Sequence, residues 1–521
     1  MAGMNTLFTL VLTLGAILAI RKVAAFRKAI WQINGHPGLR TLLDVWGLAS
    51  ALPSMPWING GGRTAWNKKH DTYAELGVDV VSYVSALPST SISFAVADAA
   101  AVKAITGSRQ RFPKPIALYK GLRLFGGNIV ASEGDEWKRY RKISAPSFSE
   151  RNNRLVWDET VGVMNELFET VWGGKTEIES DHALLVTMPI ALFVISAAGF
   201  GRRMSWKEEN GHSADDQLSF KDTWHDVSEG FILKVLVPKW ATHFNKRVRQ
   251  AHFAFDELER YIKEMIESRR NEEDKEERHD LLTSLLAAND DDSDGHARLT
   301  DEELLSNIFI FLAAGHETTA HSLCFTFGLL ALYQDEQERA YQEIIKAIPD
   351  GRDPTFHDLP SLSYVEAVIN ETLRMYPAVI SLPKLCAEDT TVPMTSSSGE
   401  THMIPIPAGA TVHVHVLGLH YNPKYWEEPH QFNPSRFLGD WPRDAFLPFS
   451  GGARSCLGRR FSELESVVAI TMILQKYKIT VKEEPEFAGE TFEQRKERVL
   501  LAKPGITLTP TRVPLVFTRR D

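Results

Sequence analysis

The sequence predicts a mainly α-helical fold with a smaller β-rich part, preceded by an N-terminal transmembrane helix. Residues 151–285 and 300–333 have the long apolar spacings of helices, and prolines are sparse in the first of these segments. Two β-branched, partly alternating segments, 78–84 and 90–96, predict a small sheet. Residues 5–20 form an uncharged, almost wholly apolar run of about the length that a bilayer span needs.

Composition narrows the class of protein. The chain has 521 residues, of which 43% are hydrophobic and 24% charged, so it can bury a sizeable globular core. Its net charge of −9 argues against a general nucleic-acid binder, whose phosphate contacts need a basic excess. Three cysteines do not make a disulfide framework, and a reducing compartment fits this number.

The apolar run at the N-terminus predicts an uncleaved membrane anchor. Its positive charges begin at Arg21 and follow the run, whereas a cleaved signal peptide carries them before it. This arrangement places the following residues in the cytosol. Prolines and glycines in the next stretch favour a linker. We therefore predict a membrane anchor at 1–22, a linker and membrane-proximal segment at 23–62, and one catalytic domain at 63–521.

A short segment near the C-terminus carries the strongest chemical signal. Residues 449–458 read Phe-Ser-Gly-Gly-Ala-Arg-Ser-Cys-Leu-Gly, and a helical pattern follows them. Arg454 places a cation two residues from Cys456, and the glycines permit backbone angles that a side chain would forbid. A cysteine ahead of a helix faces unpaired N–H groups and the helix dipole, which favour the thiolate that soft metals bind. The alternative is a structural cysteine in a glycine-rich turn.

A second signal lies in the middle of a long predicted helix. Thr300 and Glu303 form a capping box, and the helix should run to about residue 333. It is too apolar all round for a surface helix, so we expect it to cross the core. Residues 314–319, Ala-Gly-His-Glu-Thr-Thr, interrupt this apolar pattern with groups that are costly to bury unless they are paired. The alternative is a kink in which the threonine hydroxyls bond back to carbonyls.

Two charged or aromatic pairs are placed by helical spacing. Trp137 and Arg141 share a helix face, where an indole N–H and a guanidinium could bind two oxygens of an anionic group. Glu371 and Arg374 can pair on a helix that ends before Pro377. Taken alone, either pair also fits an ordinary surface helix, on which an ion pair contributes little stability.

The segment 449–458 resembles the haem-ligand loop of the cytochrome P450 family, with agreement in residue type and order at ten positions. The resemblance covers residues from about 35 to 515 and implies a cytochrome P450 fold, with 63–521 as a haem-thiolate catalytic domain. It implies haem b (iron protoporphyrin IX) as cofactor and Cys456 as the axial ligand of its iron, whose thiolate favours O–O cleavage. It also implies that the haem is bound by Trp137, Arg141, Lys384, Phe449, Arg454 and Gly458.

The central segment 314–319 resembles the oxygen-activation motif of the same family. The resemblance implies catalytic roles for Thr318, which would order protons and water beside bound dioxygen, and for Glu317, which would relay protons from solvent. The family also has a buried structural network behind the cysteine loop. In this chain that network would consist of Glu371, Arg374 and Arg436.

The family resemblance also places the substrate pocket. A strand at 378–386 would line it, and a hairpin is expected at 404–412. The pocket residues are largely apolar, so we predict a lipophilic small-molecule substrate. The predicted pocket residues are Phe309, Ile310, Ala313, Ala314, Val379, Ile380, Ser381, Leu382 and Ile506.

Electrons should come from a separate protein, because the sequence has no flavin, nicotinamide or iron–sulfur motif. With the predicted anchor, the chain resembles the single-pass endoplasmic-reticulum type with a cytosolic catalytic domain. That type uses NADPH indirectly, through NADPH–cytochrome P450 reductase, with cytochrome b5 as a second candidate donor. Five basic residues would form a docking face, and solvated surface charge explains them about as well: Lys138, Arg139, Lys142, Arg459 and Arg460.

The resemblance implies a haem-thiolate monooxygenase that inserts one atom of O2 into a lipophilic molecule in terpenoid, sterol or other secondary metabolism. A haem-thiolate isomerase or dehydratase that needs no O2 is one alternative, which fits poorly with an intact Glu317–Thr318 pair. A non-enzymatic haem-binding protein is another, and it leaves the polar break in the central helix unexplained. An anchored structural protein without a cofactor is the third.

Overall fold

Helices make up most of the molecule, and short strands form small sheets beside them. The computed structural model describes residues 2–46, 53–59, 64–206, 219–271, 280–290, 298–396 and 399–520. The helices are α1 (Ala2–Gln32), α2 (Thr64–Lys68), α3 (Asp71–Leu76), α4 (Ala99–Gly107), α5 (Gly134–Ser144), α6 (Glu150–Glu166), α7 (Leu184–Val194), α8 (Phe220–Leu236), α9 (Lys246–Arg270), α10 (Leu281–Asp290), α11 (Asp301–Leu332), α12 (Gln334–Ala347), α13 (Ser363–Met375), α14 (Val416–His420), α15 (Arg459–Lys476) and α16 (Phe492–Val499). The strands are β1 (Gly38–Leu43), β2 (Val80–Leu87), β3 (Ser91–Val96), β4 (Glu177–Ser180), β5 (Leu382–Leu385), β6 (Thr390–Thr395), β7 (Thr401–Ile406), β8 (Thr411–Val414), β9 (Tyr477–Val481), β10 (Ala502–Pro504), β11 (Leu508–Pro510) and β12 (Leu515–Arg519).

The N-terminal helix α1 extends past the predicted anchor. Its apolar side chains from Leu7 to Ile20 are exposed, whereas Ala29 and Ile33 are buried against the main sheet. The segment Leu7–Gln32 contains an 18-residue window with a mean hydropathy of 1.9 and is long and apolar enough to cross a membrane. A signal sequence passes the same test, so length and composition alone do not separate the two.

The largest sheet has the strand order β1-β2-β3-β8-β5. Its strands β2 and β3 confirm the two strands predicted from the alternating segments. Strand β1 pairs with β2, so the predicted linker segment 23–62 contributes to this sheet. The predicted boundary at residue 62 lies outside the described residues and stays a prediction. The hairpin predicted at 404–412 is wrong. Strand β7 pairs with β6, and β8 enters the main sheet, where Val412 and Val414 are fully buried between β3 and β5.

The helix α11 crosses the core, as its composition predicts. The Thr300 hydroxyl accepts from the Glu303 N–H at 3.2 Å, and the Glu303 carboxylate accepts from the Thr300 N–H at 2.9 Å, which confirms the capping box. Every residue from Thr319 to Leu332 is buried. The helix packs against α7, α13 and α15. This packing places the polar break of α11 close to the start of α15, where the cysteine loop ends.

Candidate active site

A cavity lies between α11 and the loop that precedes α15. Residues that are far apart in the sequence meet there, because α5, α11, β5 and the cysteine loop all face the same space. The sequence-predicted site residues that line it are Trp137, Arg141, Ile310, Ala314, Thr318, Val379, Leu382, Lys384, Phe449, Arg454, Cys456 and Gly458.

The loop around Cys456 is folded tightly by its own backbone. The Cys456 N–H donates to the Phe449 carbonyl at 2.9 Å, which closes the loop. Gly452 has a φ of +64°, and a Cβ there would lie 2.2 Å from the carbonyl oxygen of Thr106. Only glycine fits this position, because both the backbone angle and the close approach exclude a side chain.

Cys456 is exposed and lines the cavity. Burial raises the pKa of the Cys456 thiol, and the Gly458 N–H and the Arg141 guanidinium oppose this rise only in part. The position ahead of α15 therefore does not by itself produce a thiolate, contrary to the expectation from the sequence. A metal ion bound at the sulfur would displace the proton.

An arginine cluster surrounds the Trp137 ring at the edge of the cavity. The guanidinium of Arg454 lies 4.2 Å from the ring centroid, and its Nη2 is 2.8 Å from a carboxylate oxygen of Glu133. Arg141 lies 5.7 Å from the same ring and donates to the Ser455 carbonyl at 3.1 Å. The Nε of Arg454 is buried and has no hydrogen-bond partner among the described residues. Arg454 also lines the cavity, where an anionic group could pair with its charge.

Two lysines extend the positive edge of the cavity. Burial, together with Arg454, lowers the pKa of Lys384 and lowers that of Lys114 to about 7. The Lys114 ammonium donates to the Val130 carbonyl at 2.6 Å and lies 3.8 Å from the Tyr119 ring centroid. The pKa of a buried lysine falls when nearby anions do not offset the cost of burying its charge. A thiol on one wall and several cations at the edge fit a haem with its two carboxylates.

The polar break of α11 presents Thr318 to the cavity. Its hydroxyl donates to the Ala314 carbonyl at 2.8 Å, which is the back-bonding that the sequence left as an alternative. Gly315 also lines the cavity, but a Cβ there would lie 3.0 Å from Ile195. Close packing against the segment after α7 is therefore a second reason for glycine at this position.

Glu317 does not line the cavity. Its carboxylate accepts a hydrogen bond of 2.7 Å from the Thr507 hydroxyl, which belongs to the turn before β11. Two histidines of α11 interact with it electrostatically. Burial lowers the pKa of His316 and lowers that of His321 to about 4, so both rings are neutral at pH 7. The predicted proton donor thus belongs to a buried polar group beside the cavity.

The predicted structural network is assembled behind the cysteine loop. Glu371 and Arg374 are fully buried, with 2.7 Å between Oε2 of Glu371 and Nε of Arg374. The Nε of Arg436 lies 3.1 Å from the other oxygen of Glu371. Arg374 also donates to the His420 carbonyl at 2.8 Å. Each charge in the network therefore has at least one close partner of opposite sign or a carbonyl.

His420 connects this network to the cysteine loop. One ring nitrogen, Nδ1, donates to the Arg374 carbonyl at 3.0 Å, and the other, Nε2, accepts from the Leu447 N–H at 2.8 Å. Burial lowers the pKa of His420 to about 3, so the ring is neutral and its tautomer is set by these two bonds. Its role was not predicted, because the sequence does not show which distant backbone groups a histidine meets.

Comparison with known proteins agrees with this geometry. Residues 65–509 match the cytochrome P450 family. The chain is 52% identical to cytochrome P450 monooxygenase 124 of the fungus Postia placenta over 519 residues, which cover 99% of this chain and 100% of that protein. The chain belongs to the cytochrome P450 family. It is 29% identical to the cytochrome P450 monooxygenase prx9 of Penicillium rubens, over 88% of this chain and 84% of that protein.

The fold of this cytochrome P450 is also confirmed by solved structures. The crystal structure of the cytochrome P450DA heme domain superposes with a TM-score of 0.74 and covers 93% of this chain and 98% of that chain. The two sequences are 22% identical, so this similarity concerns the fold alone. As an enzyme of the cytochrome P450 monooxygenase family, the chain belongs to a class whose cofactor is a haem iron.

Part of the predicted pocket of this cytochrome P450 lies elsewhere. Phe309 is buried among aromatic rings, stacked 6.1 Å from Trp224 and edge-on at 5.1 Å to Phe125, because helical periodicity turns it away from Ile310. Ile506 is 64% exposed. These positions lie outside the cavity, and which residues contact the substrate stays a prediction. The predicted pocket residues that do not line the cavity are Phe309, Ala313, Ile380, Ser381 and Ile506.

Proposed function

We propose that this cytochrome P450 is a haem-thiolate monooxygenase that inserts one atom of O2 into a lipophilic small molecule. One observation carries the proposal: Cys456 and Thr318 line the same cavity, one from the cysteine loop and the other from α11. A haem b bound between them would supply dioxygen activation. The largely apolar lining contributed by Ile310, Val379 and Leu382 supports a lipophilic substrate.

The chain's own residues have separable roles in this proposal. The Cys456 sulfur would bind the iron, and the cations at the cavity edge would bind the two carboxylates of the haem. The Thr318 hydroxyl donates a hydrogen bond to the Ala314 carbonyl, so its oxygen can still accept a hydrogen bond from water in the cavity. Glu317 would exchange protons with that water through a change of rotamer. The cations would be Arg141, Arg454, Lys114 and Lys384, beside Trp137.

The test of the proposal begins with the spectrum of the reduced protein under carbon monoxide. We expect the strongly red-shifted Soret band of thiolate ligation, and we expect Cys456→Ser to lose it. The matched control is Cys386→Ser, because that buried cysteine lies outside the cavity. Loss of the band in both variants, or in neither, would contradict the assignment of the ligand.

Turnover with a reductase separates the proposal from its alternatives. A screen of terpenoid, sterol, fatty-acid and aromatic compounds should give a product that contains one oxygen atom from O2 and requires NADPH. Turnover without NADPH or O2 would establish an isomerase or dehydratase instead. A thiolate-ligated protein that consumes no O2 with any compound of the screen would favour a haem-binding protein without catalysis.

The proposed electron donor is a separate NADPH–cytochrome P450 reductase at the endoplasmic-reticulum membrane, with cytochrome b5 as a second donor. Arg459 and Arg460 are 59% and 44% exposed and share Glu463, which supports a docking face in this region. Reversing both to Glu should slow the first electron transfer while substrate binding is retained. The control is Lys503→Glu, an exposed lysine on β10. Equal first-electron rates in the double variant and the wild type would exclude this docking face.

A further inference from the structure

We infer that Thr507 is a positioning residue that holds the Glu317 carboxylate and thereby couples the C-terminal hairpin to the proton supply of the cavity. The inference rests on the proposed monooxygenase function. The Thr507 hydroxyl donates to Oε1 of Glu317 at 2.7 Å, across 190 positions of sequence. Thr507 is 8% exposed, so water competes little for this hydrogen bond.

The turn that carries Thr507 is attached to the wall of the cavity. Strands β10 and β11 form an antiparallel hairpin, and the Gly505 N–H donates to the Thr507 carbonyl at 3.1 Å within its turn. The next residue, Leu508, donates its N–H to the Ala378 carbonyl at 2.8 Å, and Ala378 lines the cavity. A compound that displaces this wall therefore moves the donor of the Glu317 hydrogen bond.

Among the residues that the structure describes, no cationic side chain forms an ion pair with Glu317. His316 and His321 belong to α11 and are neutral at pH 7, because burial lowers the pKa of both. His182 comes from the segment before α7, and its Nδ1 accepts the N–H groups of Leu184 and Val513. In the described part of the chain, Thr507 is the side chain that donates a hydrogen bond to this carboxylate.

A hydroxyl group and a cation would hold the Glu317 carboxylate in different ways. A guanidinium would stabilise the Glu317 carboxylate in one place and resist its protonation. A threonine hydroxyl both donates and accepts, so it can orient the carboxylate and still let it take up and release a proton. Thr507 thus suits a carboxylate that must move between a resting position on the hairpin and a position beside Thr318.

The test compares Thr507→Val, which keeps the shape and removes the hydroxyl, with Thr507→Ser, which keeps the hydroxyl. The control is Thr509→Val, a partly buried position on the same hairpin. With reductase and a substrate from the screen, product formed per NADPH should fall roughly fivefold in Thr507→Val, as expected for the loss of one hydrogen bond. The solvent deuterium isotope effect on O2 consumption should rise in this variant, and Thr507→Ser and Thr509→Val should match the wild type.

A second measurement does not depend on turnover. In urea unfolding of the full chain, Thr507→Val and Glu317→Gln should be non-additive in a double-mutant cycle, whereas Thr509→Val and Glu317→Gln should add. Additive effects together with wild-type coupling in Thr507→Val would overturn the inference while leaving the monooxygenase proposal intact. A wild-type protein that forms the thiolate complex and consumes no O2 would overturn both.

Discussion

The two walls of the cavity are held in different ways. Behind the cysteine loop, Arg374 donates to the Glu371 carboxylate and to the His420 carbonyl in buried contacts, and to the Gln431 carbonyl in a partly buried one. On the α11 side, two side chains each make one hydrogen bond in the described part of the chain. The Thr318 hydroxyl donates to the Ala314 carbonyl, and the Glu317 carboxylate accepts from the Thr507 hydroxyl. The wall that carries Cys456, the ligand side, is therefore held by several hydrogen bonds. The wall that carries Thr318 and Glu317, the acid side, can rearrange when a single hydrogen bond breaks.

The largest effect is expected for a change at Arg374, behind the cysteine loop. Arg374→Ala should destabilise the protein by about 3–5 kcal/mol, because it leaves the fully buried Glu371 without its main partner. Haem retention should fall with it, since the His420 contact to the cysteine loop depends on the same helix end. Urea unfolding and haem content measure the two effects.

The control for this prediction is Lys103→Ala, which removes an exposed pair with Asp444. A surface pair of this kind should cost less than about 1 kcal/mol. If Arg374→Ala cost no more than Lys103→Ala, the ligand side would not be held by its buried charges, and the contrast between the two walls would disappear.

The next largest effect is expected for a change at Thr318, on the α11 wall of the cavity. Thr318→Ala should change the free energy of unfolding by only about 1 kcal/mol, since one hydrogen bond to a carbonyl is lost. Product per NADPH should nevertheless fall by about tenfold or more, because a group that handles protons is removed. The control is Thr326→Ala, whose hydroxyl makes the same kind of bond, at 2.8 Å to the Ser322 carbonyl, and which does not itself line the cavity. Equal coupling in the two variants would contradict the role of Thr318.

The smallest expected effect concerns the edge that joins the two walls. In the haem-free protein the pKa of Lys114 is about 7, below the usual lysine value of 10.5, because burial disfavours its charge. Between these two values the unfolded state binds more protons, so this lysine makes stability rise with pH. Lys114→Met should remove that part of the pH dependence of urea unfolding, and Lys103→Met, on the exposed surface, should not.

Haem binding gives the same lysine a second test. Carboxylates of the bound group would favour the charged form of Lys114, so at pH 8 this lysine should take up part of the proton that Cys456 releases when its sulfur binds iron. The net proton release on haem binding, measured in weak buffer, should therefore be larger in Lys114→Met. Identical proton release in the variant and the wild type would mean that other groups complete the positive edge.

Elements with a local signal were predictable, and contacts between distant segments were not. The capping box at Thr300 and the strands β2 and β3 are confirmed, because spacing and residue type within a few positions specify them. Arg141 and Arg454 could be found from a helical spacing and a motif. Lys114 could not, since it lies in an irregular segment where no period indicates the direction of a side chain.

By itself, the sequence determined the family, the central helix with its polar break and the glycine-containing cysteine loop. Each of these depends on residue types at short, fixed spacing. Only the tertiary structure decided that Glu317 bonds to Thr507, that Phe309 turns away from the cavity and that His420 joins Arg374 to Leu447. These pairings depend on which buried donors and acceptors meet when distant segments pack. The spacing of residues along the chain does not specify these partners, because several polar groups elsewhere in the chain could make the same hydrogen bond.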